Sequence, residues 1–179
     1  EQVLFFSRIP TTLIAVLLGI VLFLWTRELG GTLAGVFAVT LYAFDPNIIA
    51  HNHYVTTDIG SAAFIFFAFY FFVRFLKAPS RNNILLAGLF LGLAELVKFS
   101  AVLVFPVFGL FTLLFAIAKI KSGQVFQTLF SYAWKFLAII IICFATIWVV
   151  YGLNTIGMPR ERVIAHADLF LSQPNAPAR

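Results

Sequence analysis

Charge is what this chain has least of. Only 11% of its 179 residues are Asp, Glu, Lys or Arg, where a soluble domain carries roughly a quarter. So few charged side chains cannot form the polar shell that an apolar core needs in water, and a soluble globular domain is excluded. A single cysteine, Cys143, lies in the apolar run Ile139 to Val150. That rules out an intramolecular disulfide or a cysteine-based metal site, and Cys143 reads as a small lipid-facing or packed residue. There is no glycine-rich phosphate loop, serine nucleophile motif or metalloprotease helix, so soluble nucleotide chemistry is unsupported. Neither an internal repeat nor a charged leader followed by a cleavage site is evident.

What fills the chain instead is hydrocarbon. Hydrophobic residues make up 62%, Phe alone occurs 23 times, and the mean hydropathy is +1.02. A lipid solvent accounts for this economically. About 20 apolar residues cross a bilayer, and on that measure six hydrophobic segments stand out, near Ile9 to Thr26, Gly31 to Ala50, Ile59 to Val73, Ile84 to Val97, Phe99 to Ala118 and Phe130 to Tyr151. In lipid each backbone amide needs an internal partner, so each segment is predicted to be a helix. The expected fold is an all-α polytopic bundle of about six spans over residues 1–151, followed by an extracytoplasmic interfacial segment over residues 152–179. In that tail Val163, Ala167, Phe170 and Leu171 recur at roughly helical spacing beside Arg160, Arg162 and His166. The first residue is Glu1 and the chain stops on a Pro-rich stretch, so a piece of a longer protein is expected.

The connectors carry the charge. Arg27 with Glu28, then Arg74, Lys77 and Arg81, then Lys119 and Lys121 all fall on one side if the spans alternate. The positive-inside rule makes that side cytoplasmic. The net charge of +5 and the pI near 9.7 are explained by this distribution. No continuous basic face suggests nucleic acid. Asp45 to Asp58, the Glu95 to Lys98 turn and the tail are then placed outside, on an integral, multi-pass protein of a bacterial plasma membrane type.

The insert between Asp45 and Asp58 concentrates polar chemistry. Two carboxylates and two imidazoles, on Asp45, His51, His53 and Asp58, lie within it, and ionisable groups at membrane depth are costly unless they serve a site. Pro46 is expected to start a helix or turn capped by Asp45. If that segment is helical, His51 and Asp58 share a face; if it is extended, His51 and His53 form a His-X-His clip for a divalent metal ion. Both geometries stay open on sequence alone. The plainer alternative makes the carboxylates helix caps and the histidines interfacial anchors. Asp58 is the strongest functional candidate, because it opens a span beside two threonines that could have capped it.

Glu95 and Lys98, three residues apart, can neutralise each other across a helical turn. Alternatively, Lys98 faces an outer pocket as a point charge for phosphate. Arg8, before the first span, could serve likewise, or snorkel at the interface. Trp25, Trp134 and Trp148 sit where belt residues belong.

The run Leu41-Tyr42-Ala43-Phe44-Asp45-Pro46-Asn47-Ile48-Ile49-Ala50-His51, then Thr56-Thr57-Asp58, then Gly88 to Ala94 with Lys98-Phe99-Ser100 and Pro106, resembles the GT-C membrane glycosyltransferases. Within them it is similar to the protein mannosyltransferase and aminoarabinose transferase branch. Ser7-Arg8-Ile9-Pro10 and the Arg27-Glu28-Leu29-Gly30 connector are also in character. The resemblance implies helices around an extracytoplasmic cavity and a sugar donor carried on a polyprenyl phosphate, with a protein, lipid or glycan acceptor. It implies Asp58 as an acidic residue lining the site and Lys98 as its lysine. His51 joins Asp58 as a catalytic candidate, and Arg8, His53, Asp45 and Glu95 join Lys98 as substrate-binding candidates. A divalent metal is compatible but not demanded. The family's principal acidic loop is expected upstream of Glu1, so this segment alone is expected to be inactive. A rival from another class is a transporter or channel with a His/Asp proton or metal path, which would need polar residues along several helices near midplane.

Overall fold

The computed structural model describes residues 2–53, 57–120 and 124–157, with 161 and 164; side chains of residues 2–7 and 51–53 fall outside the description. The described residues fold as helices: α1 (Gln2–Phe44), α2 (Pro46–His53), α3 (Thr57–Lys77), α4 (Arg81–Val97), a short 3-10 helix (Phe99–Leu103), α5 (Val104–Ala118) and α6 (Val125–Thr155). Among the described residues, four stretches are long and apolar enough to cross a membrane: Arg8–Phe44, Thr57–Lys77, Phe99–Ala118 and Val125–Thr155. The protein is an integral membrane protein built as an all-α bundle. The chain divides into two compact units, Glu1–Ile147 and Trp148–Arg179, and the helix packing that positions a site belongs to the first.

The 43 residues of α1 would extend about 64 Å if straight, roughly twice the hydrocarbon thickness of a bilayer. The chain avoids this by folding back at Gly31, whose φ of 82° and ψ of 178° are non-helical. Two arms result, and they pack antiparallel. The Tyr42 hydroxyl donates to the Ala15 carbonyl at 2.9 Å, and an added Cβ on Gly35 would stand 3.0 Å from the Phe23 ring. The backbone region at Gly31 is essentially closed to L side chains. Gly31→Ala is therefore expected to destabilise the bundle by about 1–3 kcal/mol, measurable as earlier unfolding in a denaturing-detergent titration.

The second predicted span, Gly31 to Ala50, is not one helix. It stops at Phe44, and α2 begins at Pro46, because proline carries no amide hydrogen to continue the ladder and restricts the residue before it. Asp45 bridges the break.

The first arm of α1 runs alongside α3 in the same direction. Leu18 packs with Ala63 and Phe67, and farther along Glu28 meets Arg74. α4 returns antiparallel to α3, with Phe90 stacked on Phe71 at 5.4 Å and edge-on to Phe67 at 5.2 Å. Phe72 and Phe108 stack at 3.8 Å to join α3 to α5. Phe72, Phe75, Phe108, Leu91, Ile139 and Cys143 are fully buried at the centre, so Cys143 is a packed residue rather than a lipid-facing one. By contrast Trp134 and Trp148 are exposed at 60% and 78%, as belt residues are.

α4 and α6 approach by a different means. Gly88 and Gly92 are buried on α4, and a Cβ on either would lie 2.7 Å from the Ile139 carbonyl oxygen or 2.8 Å from that of Cys143. Small residues four apart allow helix backbones to touch where lipid offers no hydrophobic drive. Contact of this kind sets α4, and therefore Lys98 at its end, against the rest of the bundle.

Candidate functional site

Two helix ends meet at one end of the first unit. α3 starts there with Asp58 in its first turn. α4 ends there at Val97, and its C-cap Lys98 leaves the helix with extended dihedrals, φ −151° and ψ 113°. Close packing holds the two ends together, since a Cβ on Gly60 would sit 3.3 Å from the Val97 side chain. α4 stops there, and Lys98 leaves it in extended conformation with its ammonium against the start of α3.

The result is an ion pair. Lys98 Nζ donates to Asp58 Oδ1 at 3.1 Å, across 40 residues of chain. The two side chains remain 50% and 47% exposed, so solvent screens them and the pair contributes little to stability, on the order of 0–1 kcal/mol. A cation and a carboxylate are thus held side by side and accessible.

Glu95 lies one turn back along α4. It does not neutralise Lys98, as the simpler expectation from their spacing has it, because Lys98 turns to Asp58. Its Oε1 is buried and has no hydrogen-bond partner among the described residues. Such an atom needs a hydrogen bond from something, since leaving it bare costs about 1–3 kcal/mol or more.

Asp45 is a helix cap. Its Oδ1 accepts from Asn47 N at 2.8 Å and Ile48 N at 3.1 Å, and its own carbonyl accepts from Ile49 N at 3.0 Å. That oxygen starts α2, as the capping alternative expects. The backbone of residues 46–53 is helical, so the extended conformation that a His-X-His clip requires is not adopted. The side chains of His51 and His53 lie outside the described residues, as do Arg160 and Arg162. Arg8 is exposed. The parallel register of the first α1 arm with α3 puts it at the same end of the bundle as Asp58. Among the described residues no three His, Cys, Asp or Glu side chains come together as a metal site.

The opposite end of the bundle holds a second polar group, whose charged members read in the sequence only as orientation signals. Glu28 Oε1 receives Arg74 Nη2 at 3.1 Å and the Tyr70 hydroxyl at 3.4 Å, and the Arg74 guanidinium sits 5.1 Å from the centre of the Tyr70 ring. The sequence signal for it is the spacing of Tyr70 and Arg74, one helical turn apart on α3. Gly88 and Gly92 likewise spell a G-x-x-x-G pattern, embedded in the longer run from Gly88 to Ala94.

A family model described as dolichyl-phosphate-mannose-protein mannosyltransferase matches residues 2–149. The chain belongs to that family, whose members are membrane glycosyltransferases of the GT-C type. No curated protein and no solved structure matches it significantly.

Proposed function

We propose that this member of the mannosyltransferase family takes part in moving a sugar from a polyprenyl-phosphate donor to an acceptor hydroxyl or amine on the extracytoplasmic side of the membrane, with Asp58 and Lys98 at the reacting centre. The observation that carries this reading is the accessible Asp58–Lys98 pair at 3.1 Å, on the end of the bundle away from the connector cations Arg74 and Lys77.

The chemistry asks for few groups. The acceptor's nucleophilic atom bonds to the sugar's anomeric carbon as the bond from that carbon to the phosphate oxygen breaks. The electron pair leaves with the lipid phosphate, and the acceptor gives up a proton. Lys98 stabilises the charge gathering on the departing phosphate, as a cation already in place when the bond breaks. Asp58 is the carboxylate of this chain placed to receive the proton, a role worth about 10²–10⁴-fold when the base is within hydrogen-bond reach. In the resting pair Asp58 keeps Lys98 aimed; arrival of the phosphate gives the ammonium a second anion to bind. Arg8, at the same end, adds positive charge at the rim. Glu95 Oε1, short of a donor, accepts a hydrogen bond from a sugar hydroxyl or a water. A donor of this kind reaches the site laterally from the bilayer, where the lipid-exposed Phe and Leu side chains of the bundle meet its isoprenoid chain.

Membranes containing the full-length protein are expected to transfer label from a polyprenyl-phosphate sugar to acceptor, and not from the corresponding nucleotide sugar. Transfer from the nucleotide sugar alone, or from neither donor, would remove this reading.

A further inference from the structure

A cleft of about 390 Å³ opens at the other end of the bundle, lined by Trp25, Glu28, Leu29, Arg74, Lys77 and Asn83 among others. It lies where the first arm of α1 turns, α3 finishes and α4 begins. None of the groups proposed for sugar transfer is in it. We propose that this cleft binds the phosphate headgroup of an anionic membrane phospholipid.

Its cations are prepared for such a ligand. Arg74 is fixed from two sides, by Glu28 at 3.1 Å and by the Tyr70 ring at 5.1 Å, and Trp25 meets that ring edge-on at 5.4 Å. Only Nη2 of the guanidinium is used in the bond to Glu28, and Arg has five N–H donors in a planar fork that suits phosphate. Lys77 is exposed and has no hydrogen-bond or ion-pair partner among the described residues. Glu28 cancels one of the two cations, so the lining retains net positive charge. The Asn83 side-chain amide donates to the Ala78 carbonyl at 2.9 Å, which fixes the turn that forms one wall.

A lipid is favoured over a soluble phosphate because the cleft is amphipathic in the right order. Its lining ends at Leu29, which is 66% exposed. One residue on, a second groove of about 580 Å³ begins, lined by Gly30, Leu33, Ala34, Val36, Phe37 and Thr40, almost wholly apolar. A phosphate in the first and an acyl chain along the second would match polar to polar and apolar to apolar. The cleft also falls at the terminus of the spanning stretch Thr57–Lys77, the depth at which lipid phosphates lie. Cations at this depth draw anionic lipid in preference to zwitterionic lipid.

The test uses the purified full-length protein, delipidated in mild detergent, and lipid adducts counted by native mass spectrometry. Phosphatidylglycerol, phosphatidylcholine and water-soluble glycerol phosphate are the probes. Wild type is expected to retain phosphatidylglycerol at least about tenfold better than phosphatidylcholine, with glycerol phosphate unable to displace it. Lys77→Glu, at an exposed position outside the packed core, is expected to abolish that preference while leaving phosphatidylcholine retention unchanged. Equal retention of the two lipids, an unaltered preference in Lys77→Glu, or displacement by equimolar glycerol phosphate would each overturn the assignment. The outcome is independent of whether sugar transfer is observed.

Discussion

In the full-length protein, Asp58→Asn is expected to lower the rate of sugar transfer by about two orders of magnitude or more while the protein still inserts and folds. The size follows from the role. A base within reach of the acceptor contributes about 10²–10⁴-fold, and Asn keeps the shape of the side chain while losing both its charge and its capacity to take a proton. Stability should barely change, because the ion pair it breaks is half exposed and pairs of that kind contribute on the order of 0–1 kcal/mol. The two readouts therefore separate. Loss of transfer with unchanged thermal unfolding in detergent supports a chemical role for Asp58; transfer at the wild-type rate removes Asp58 from the site. Asp58→Glu retains the carboxylate on a longer stem and is expected to recover part of the activity. If Asp58 acted only by aiming Lys98, Asn would raise the donor KM and leave kcat nearly intact.

The largest structural effect is expected at Gly92. Its missing side chain is what lets α4 lie on α6, since an added Cβ would approach the Cys143 carbonyl oxygen to 2.8 Å and the Thr146 side chain to 2.8 Å. Neither obstacle is the free end of a flexible side chain. The Thr146 hydroxyl is held to the Ile142 carbonyl at 2.8 Å, and the Cys143 carbonyl belongs to a continuous helix. Overpacking of an interior costs about 1–3 kcal/mol where neighbours can shift. Gly92→Ala should fall in that range, and Gly92→Leu should exceed it and prevent recovery of monodisperse protein. Gly88 offers the same test one turn earlier, against Ile139 and Ile142. Leu85→Ala, at a position 54% exposed on the same helix, is the matched control and should change little. If Gly92→Leu purified and unfolded as wild type does, α4 and α6 would not be in contact through this stripe.

How much of this is legible in the residues alone depends on whether the signal is local. Apolar runs mark the helices because lipid leaves backbone amides no other partner, and the chain reversal at Gly31 falls where hydropathy separates two spans. Asp45 is expected as a cap and is one, since the groups it satisfies lie two and three residues away. The continuation of the second span to Ala50 fails at the same place: hydropathy carries the segment across Pro46, where backbone geometry does not. Pairings between distant residues are less visible. Asp58 and Lys98 stand out separately, one for opening a span and the other for closing one. Their meeting depends on the antiparallel return of α4, which no periodicity reports. Glu95 shows the converse, for its nearest cation in sequence is not its partner in space. The Glu28–Arg74–Tyr70 group is hidden because connector charges already have a sufficient explanation as orientation signals.

Asp58 and Lys98 share one end of the bundle with Arg8, and Glu95 lies just beneath them. In a transport path, ionisable groups are spread through the membrane along several helices. Family membership points the same way as this clustering, toward transfer chemistry at one surface rather than passage between two.

Binding of the donor separates the proposed site from every role that is merely structural. The dissociation constant of a polyprenyl-phosphate sugar should be measured on the full-length protein in nanodiscs, for wild type, Lys98→Ala and Lys98→Arg. A hydrogen bond to a charged group contributes about 1.5–3 kcal/mol. Lys98→Ala is therefore expected to weaken the donor roughly ten- to hundredfold, with Lys98→Arg between the two and unchanged unfolding in all three. Equal dissociation constants for wild type and Lys98→Ala would contradict the placement of the donor phosphate at the Asp58–Lys98 pair.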